Sequence, residues 1–151
     1  MKSKIILFLV ALFLFPASSF SQVAKVSINK TSNGFQLIKN DAPYYIKGAG
    51  AKSNFKKVVE SGANSIRIWS TNKSELLDSA YYKYNLSVCL GIWVAQERNG
   101  FNYNDEYNVR SQIELIKKEI LRLKDHPSVI LWGIGNEVDL QYSNFKVWET
   151  I

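Results

Sequence analysis

Apolar residues along this chain follow two rhythms. Val109, Ile113, Ile116, Ile120 and Leu123 recur in steps of four and three, while Lys117, Lys118, Arg122 and Lys124 fall mostly elsewhere. That spacing predicts an amphipathic helix ending at Asp125-His126-Pro127. The second rhythm is the unbroken run. Leu86 to Val94 and Ser128 to Ile134 are nearly continuous apolar stretches, as expected of strands buried on both faces. Ser65 to Trp69 reads as a shorter strand. Ser53 to Glu60, with Phe55, Val58 and Val59 on one face and Gly62 as a stop, reads as a short helix. Asn72 with Glu75 three residues on predicts a capping box, opening a helix whose face is Leu76, Leu77, Ala80 and Tyr84. Phe35 to Ile38 and Tyr44 to Ile46 predict a hairpin around Lys39-Asn40-Asp41-Ala42-Pro43. Tyr44 to Lys47 continues as the first core strand and ends at Gly48-Ala49-Gly50. Phe145, Trp148 and Ile151 start a further helical face.

Strands and helices therefore alternate, which implies a parallel sheet with covering helices. An open doubly wound sheet and half of a (β/α)8 barrel both fit. The chain has no Gly-x-Gly-x-x-Gly and no Walker phosphate loop, which weakens a nucleotide-binding sheet. A complete barrel needs roughly 250 residues, and the 151 present end inside a helical pattern. The expected fold class is α/β: the first half, about four βα units, of a TIM-type barrel.

The beginning of the chain reads differently. Lys2 and Lys4 precede an uncharged apolar core from Ile5 to Phe15, then Pro16 and the small residues Ser19 and Ser21. This is the pattern of a secretory signal peptide over residues 1–21, with an apolar core too short to span a bilayer. Secretion or periplasmic export is the expectation, with no membrane association after cleavage. The expected organisation is a leader (1–21), a lead-in hairpin and first strand (22–47), and the partial barrel (48–151).

Net charge is +6, of which Lys2 and Lys4 supply two. The remaining basic residues mostly interleave with acids on helices, so a solvated surface is favoured over a nucleic-acid site. Cys89 is the only cysteine, which excludes an internal disulfide and suggests a small buried hydrophobe. Sequons begin at Asn29, Asn72 and Asn85.

The candidate chemistry lies at strand ends. Ile130-Leu131-Trp132-Gly133-Ile134-Gly135-Asn136-Glu137 runs from a buried strand into an amide and a carboxylate. A carboxylate there is costly unless it is used or serves as a cap. In barrel enzymes the C-terminal strand ends carry the active site. In Ser65-Ile66-Arg67-Ile68-Trp69 the isoleucines share one face, so Arg67 points into the barrel if they face the helices. A buried guanidinium needs a carboxylate or a ligand. It fits either a catalytic role or a structural ion pair.

Trp69, Trp93 and Trp132 stand near the ends of three strands, where indoles serve either as sugar-stacking platforms or as core. Gln96, Glu97, Arg98, Phe101 and Tyr103 occupy the loop after the third strand and either line a cleft or cap the barrel. His126, the single histidine, lies at the opposite end of the fourth strand and reads as structural. One His and one Cys make no familiar zinc cluster, and Gly-x-Ser-x-Gly is absent. No cofactor or metal is expected.

The segment Asp125-His126-Pro127-Ser128-Val129 through Trp132 to Gly135-Asn136-Glu137 resembles the HPSV…W…GNE stretch in the catalytic barrel of glycoside hydrolase family 2, within clan A. Asn40 to Gly48 and Gly62-Ala63-Asn64-Ser65-Ile66-Arg67 resemble the start and second strand of the same barrel. The resemblance implies a secreted retaining glycosidase acting on β-linked saccharides. Glu137 is then the acid/base, Asn136 bonds the sugar 2-hydroxyl, and Arg67 supports the nucleophile. Trp69, Trp93, Trp132 and Glu97 are the expected substrate contacts. The family's nucleophile is a glutamate ending the seventh strand, beyond Ile151, so the chain alone is expected to be inactive.

Two departures bear on substrate. The jelly-roll and immunoglobulin-like domains that usually precede this barrel have no room here. Trp69-Ser70 and Leu90 to Val94 resemble β-1,3-glucanosyltransferases about as well. A transglycosidase and a non-catalytic carbohydrate-binding barrel are the alternative readings.

Overall fold

The computed structural model describes residues 22–150. The expected signal peptide and Ile151 lie outside the described residues. The described chain begins with a small antiparallel sheet, β1 (Val26–Thr31), β2 (Gly34–Lys39) and β3 (Ala42–Pro43), paired in that order. The hairpin joining β2 to β3 turns on Asn40 and Asp41, at φ 51° and 63°. Two positive φ values in a two-residue loop match the twist of paired strands, and Asn and Asp tolerate them. β1 is an addition to the expected hairpin.

Tyr44 to Lys47 does not form the expected first core strand; that strand is β4 (Gly48–Gly50). The Asn64 side chain is the reason. Its amide donates to the Tyr45 carbonyl (2.8 Å) and its oxygen accepts the Lys47 N–H (2.9 Å). The backbone groups a ladder would need are thereby taken. Tyr44 instead carries its hydroxyl to the Asn64 carbonyl, Ser65 Oγ and Ser87 Oγ at 2.9–3.0 Å. The antiparallel unit is thus fastened beneath the N-terminal ends of the next two strands.

Those two strands are β5 (Ser65–Ile68) and β6 (Ser87–Ile92), which with β4 and β7 (Val129–Ile134) form a parallel sheet in the order β4-β5-β6-β7. The links are α1 (Phe55–Glu60), α2 (Glu75–Asp78) running into a π-helical turn at 79–83, and α3 (Glu106–Leu123); α4 (Lys146–Thr150) follows β7. Strands that add in chain order without reversal wind as a barrel does, whereas a doubly wound sheet reverses at a switch point.

One face of the sheet is the core. Ile66, Ile68, Val88, Leu90 and Val129 pack against Phe55, Leu77, Ala80, Leu86 and Leu123. Arg67, Cys89, Gly91 and Gly133 alternate with them and occupy the inner face. A second apolar cluster, Val94, Tyr103, Val109, Val138 and Val147, lies under the loops at the C-terminal strand ends.

Local details correct three expectations. The capping box is not formed: Ser70 accepts the Asn72 N–H at 3.2 Å, and no side chain caps α2. The serine is the better placed oxygen because Ser70 is extended, as an N-cap requires, and stands just before the turn. The last helix buries Val147 and leaves Phe145 and Trp148 exposed, reversing the expected face. Cys89 is only half-buried. Burial pushes its thiol up and the nearby Arg67 opposes this. The α3 helix forms as expected, with Asp105 accepting the N–H groups of Tyr107 and Asn108. No helix among the described residues is long and apolar enough to cross a membrane.

Candidate active site

The ends of β5, β6 and β7 build one constellation. Ile66 and Ile68 are anchored in the core, so alternation sends Arg67 to the inner face as expected. Its Nη2 donates to Asn136 Oδ1 at 3.3 Å, and its guanidinium lies 5.4 Å from the Trp69 ring centre. Nε is buried without an acceptor in the described structure. Arg67 thus keeps donor capacity for an anionic partner. Because Arg67 takes the amide oxygen of Asn136, the amide nitrogen remains to donate to a ligand.

Glycines make this proximity possible. A Cβ on Gly91 would come 2.7 Å from the Trp69 backbone, so the chain leaving β5 crosses β6 only over a glycine. A Cβ on Gly50 would overlap the Trp69 ring. Trp69 is pinned over the end of β4 yet remains 39% exposed, so part of its ring is open to a ligand.

The loop after β7 is tightly wound. Gly135 adopts φ 76° and Glu137 φ 49°. A glutamate in the left-handed region costs about 1 kcal/mol, and such strain concentrates at functional sites. Val138 is buried in the second apolar cluster and holds the turn from below. Glu137 is consequently presented outward, its side chain 62% exposed, with Arg98 Nη2 at 3.3 Å from its Oε2.

The turn at Glu97–Asn99 grips this loop at three points. Gln96, fully buried, donates to the Asn136 carbonyl at 2.6 Å and accepts from Asn99 at 2.8 Å. Arg98 donates to the Glu137 carbonyl at 3.2 Å as well as to its carboxylate. Glu97 accepts from Ser143 N (2.7 Å), Ser143 Oγ (2.5 Å) and Asn144 N (2.9 Å). These bonds hold its carboxyl below the usual range. The loop after β6 caps its neighbour, and Glu97, Phe101 and Tyr103 also border a cavity of about 550 Å³ with Ser143, Asn144 and Phe145. Glu97, expected at the substrate, is a clamp with both oxygens engaged. Nothing in the sequence but its position distinguished Gln96 and Arg98 from their neighbours.

The three tryptophans separate. Trp132 faces the helices and packs on the core, contrary to the expected rim position. A register shift between Val88 and Cys89 places Val129 opposite the first and Leu131 opposite the second. That extra residue in β7 reverses the strand's later alternation. Trp93 is 59% exposed and lines a groove of about 490 Å³ with Ile92, Leu115 and Ile116, whose lining includes neither Asn136 nor Glu137. His126 is structural as expected. Nδ1 meets Ser128 N and Oγ, and Nε2 meets Asp78 at 3.2 Å. Among the described residues no group of three or more His, Cys, Asp or Glu is placed to hold a metal ion.

Residues 79–150 match the sequence model of the glycosyl hydrolases family 2 TIM barrel domain. A β-D-glucuronidase of Dictyoglomus thermophilum superposes with a TM-score of 0.57 at 24% identity, over 76% of this chain and 23% of its own. A Bacteroides uniformis β-glucuronidase 2, solved with a covalently bound cyclophellitol-6-carboxylate aziridine, superposes with a TM-score of 0.50 at 21% identity, over 84% of this chain and 17% of its own. No curated protein matches the chain. At these identities the structural likeness establishes the fold, and the chain spans less than a quarter of either neighbour. Matched segment and fold agree on part of a TIM barrel: residues 79–150 are similar to the family 2 barrel domain, and the described chain shares the fold of both solved neighbours over that region and beyond it.

Proposed function

We propose that the chain supplies the acid/base half of the active site of a retaining glycosidase acting on β-linked saccharides. The supporting observation is the Arg67–Asn136 bond, with Glu137 next in the chain and exposed at the same strand ends. Glu137 protonates the leaving oxygen and then activates water. Asn136 donates its free amide N–H to the sugar 2-hydroxyl. Arg67 holds the nucleophilic carboxylate, which must stand about 5 Å from Glu137. A carboxylate from a later strand of the barrel fills that role in this reading. Trp69 supplies the stacking surface.

The test uses the enzyme with its complete barrel. Aryl β-glucuronides are the first probes, since both solved neighbours are named β-glucuronidases. Glu137→Gln is expected to lower kcat/KM by about 10²–10⁴-fold on glycosides with poor leaving groups and far less on activated aryl glycosides. Equal activity of variant and wild type on a poor leaving group removes Glu137 from the mechanism. The reading also places the protein outside the cytoplasm. Mass spectrometry of exported material should find Gln22 as the first residue, and an intact Met1 would overturn that.

A further inference from the structure

We propose that Arg98 is a positioning residue for Glu137, mounted on a turn built to hold it. The inference rests on the acid/base reading of Glu137. A glutamate at φ 49° has no intrinsic reason to stay there. Nor does an exposed side chain on a loop have one orientation. Arg98 addresses both. It takes the Glu137 carbonyl with Nη1 (3.2 Å) and the carboxylate with Nη2 (3.3 Å). A guanidinium is a rigid planar fork, so two points of attachment on one residue fix the backbone turn and the side-chain direction together.

The Arg98 side chain is itself only 20% exposed, against 62% for Glu137, so a largely covered guanidinium holds a carboxylate that is open to solvent. Its own turn cannot drift. Gln96 on one side is locked to Asn136 and Asn99, and Glu97 is locked to Ser143 and Asn144. The three grips address successive parts of one loop: Asn136, then Glu137, then residues 143–144. An ion pair open to solvent on its carboxylate side adds little to stability. Its value lies in orientation, since small misplacement of a reacting group is expensive in rate.

Steady-state kinetics of the complete-barrel enzyme test this, with Arg98→Ala, Arg98→Lys and Glu137→Gln compared on one poor and one activated leaving group. Arg98→Ala is expected to lose about tenfold in kcat/KM on the poor leaving group and less than about twofold on the activated one, a weaker copy of the Glu137→Gln pattern. Arg98→Lys should recover part of the loss, because an ammonium can reach one of the two oxygens but not both. A loss that is equal on both substrates, or no loss, overturns the inference while Glu137→Gln keeps its own leaving-group dependence. If Glu137→Gln shows no such dependence, the acid/base reading falls and this inference falls with it. Thermal unfolding of each variant separates misfolding from misplacement. An Arg98→Ala variant that unfolds near the wild-type temperature yet loses selectively on the poor leaving group supports positioning.

Discussion

At the scale of single residues, the two carboxylates of the site behave oppositely. Glu137 offers its side chain outward, while Glu97 gives both oxygens to Ser143 and Asn144. Hydrogen bonds donated to a carboxylate favour its charged form, so the Glu97 carboxyl is held below its ordinary value of 4.5. The sign follows from linkage. The clamp's contribution is fully present above pH 4.5 and is lost as pH falls through the depressed value. Glu97→Gln should therefore free the segment around Ser143 and Asn144 at neutral pH and change little once the wild-type carboxyl is protonated. Hydrogen exchange at the Ser143 and Asn144 amides, followed from neutral to acid pH, reads this directly. Equal protection in both proteins at neutral pH would show that the clamp is not held by charge. Arg67 was legible at this scale because alternation in a five-residue strand fixes its face. Gln96 and Arg98 were not, because their partners lie 40 and 39 residues away on another loop.

At the scale of elements, periodicity succeeded where burial is repetitive and failed where one residue breaks the repeat. The α3 face and the doubly buried β6 were legible because many positions report the same geometry. Trp132 was misplaced because its side depends on a single inserted residue in β7. No hydrophobic pattern of seven residues encodes that shift. Tyr44 to Lys47 failed for another reason. Its composition suits a strand, but Asn64, in a different unit, takes its backbone groups. In the last helix Val147 reaches the cluster of Val94, Tyr103, Val109 and Val138, so the buried face differs from the one that the spacing of Phe145 and Trp148 predicts. Phe145 and Trp148 are larger, yet they pack at their edges on Tyr142 and stay exposed. Size alone predicted the wrong face. Asn136 and Glu137 fall just beyond β7 as expected, because that position depends only on the strand ending where the apolar run ends.

At the scale of the whole molecule, the sheet closes on neither side. β4 pairs with β5 alone and β7 with β6 alone, so each leaves a row of peptide groups without strand partners among the described residues. The two edges differ. β4 is three residues long and glycine-rich, whereas β7 has six residues, mostly apolar and β-prone. A barrel removes such edges by closure, and an unpaired flat edge is a template for another chain. The inner face adds to this, since Arg67 has an unpaired buried Nε and Cys89 is only half covered. The segment expressed as residues 22–151 should therefore associate through β7, as dimers or larger species whose fraction rises with concentration. Light scattering behind size-exclusion chromatography measures this. Replacing Leu131, which pairs with Cys89 on the inner face, by lysine should shift the population toward monomer by charging the edge without entering the helix-side core. A segment that stays monomeric across a hundredfold range of concentration and unfolds cooperatively would show that four βα units are a self-sufficient domain.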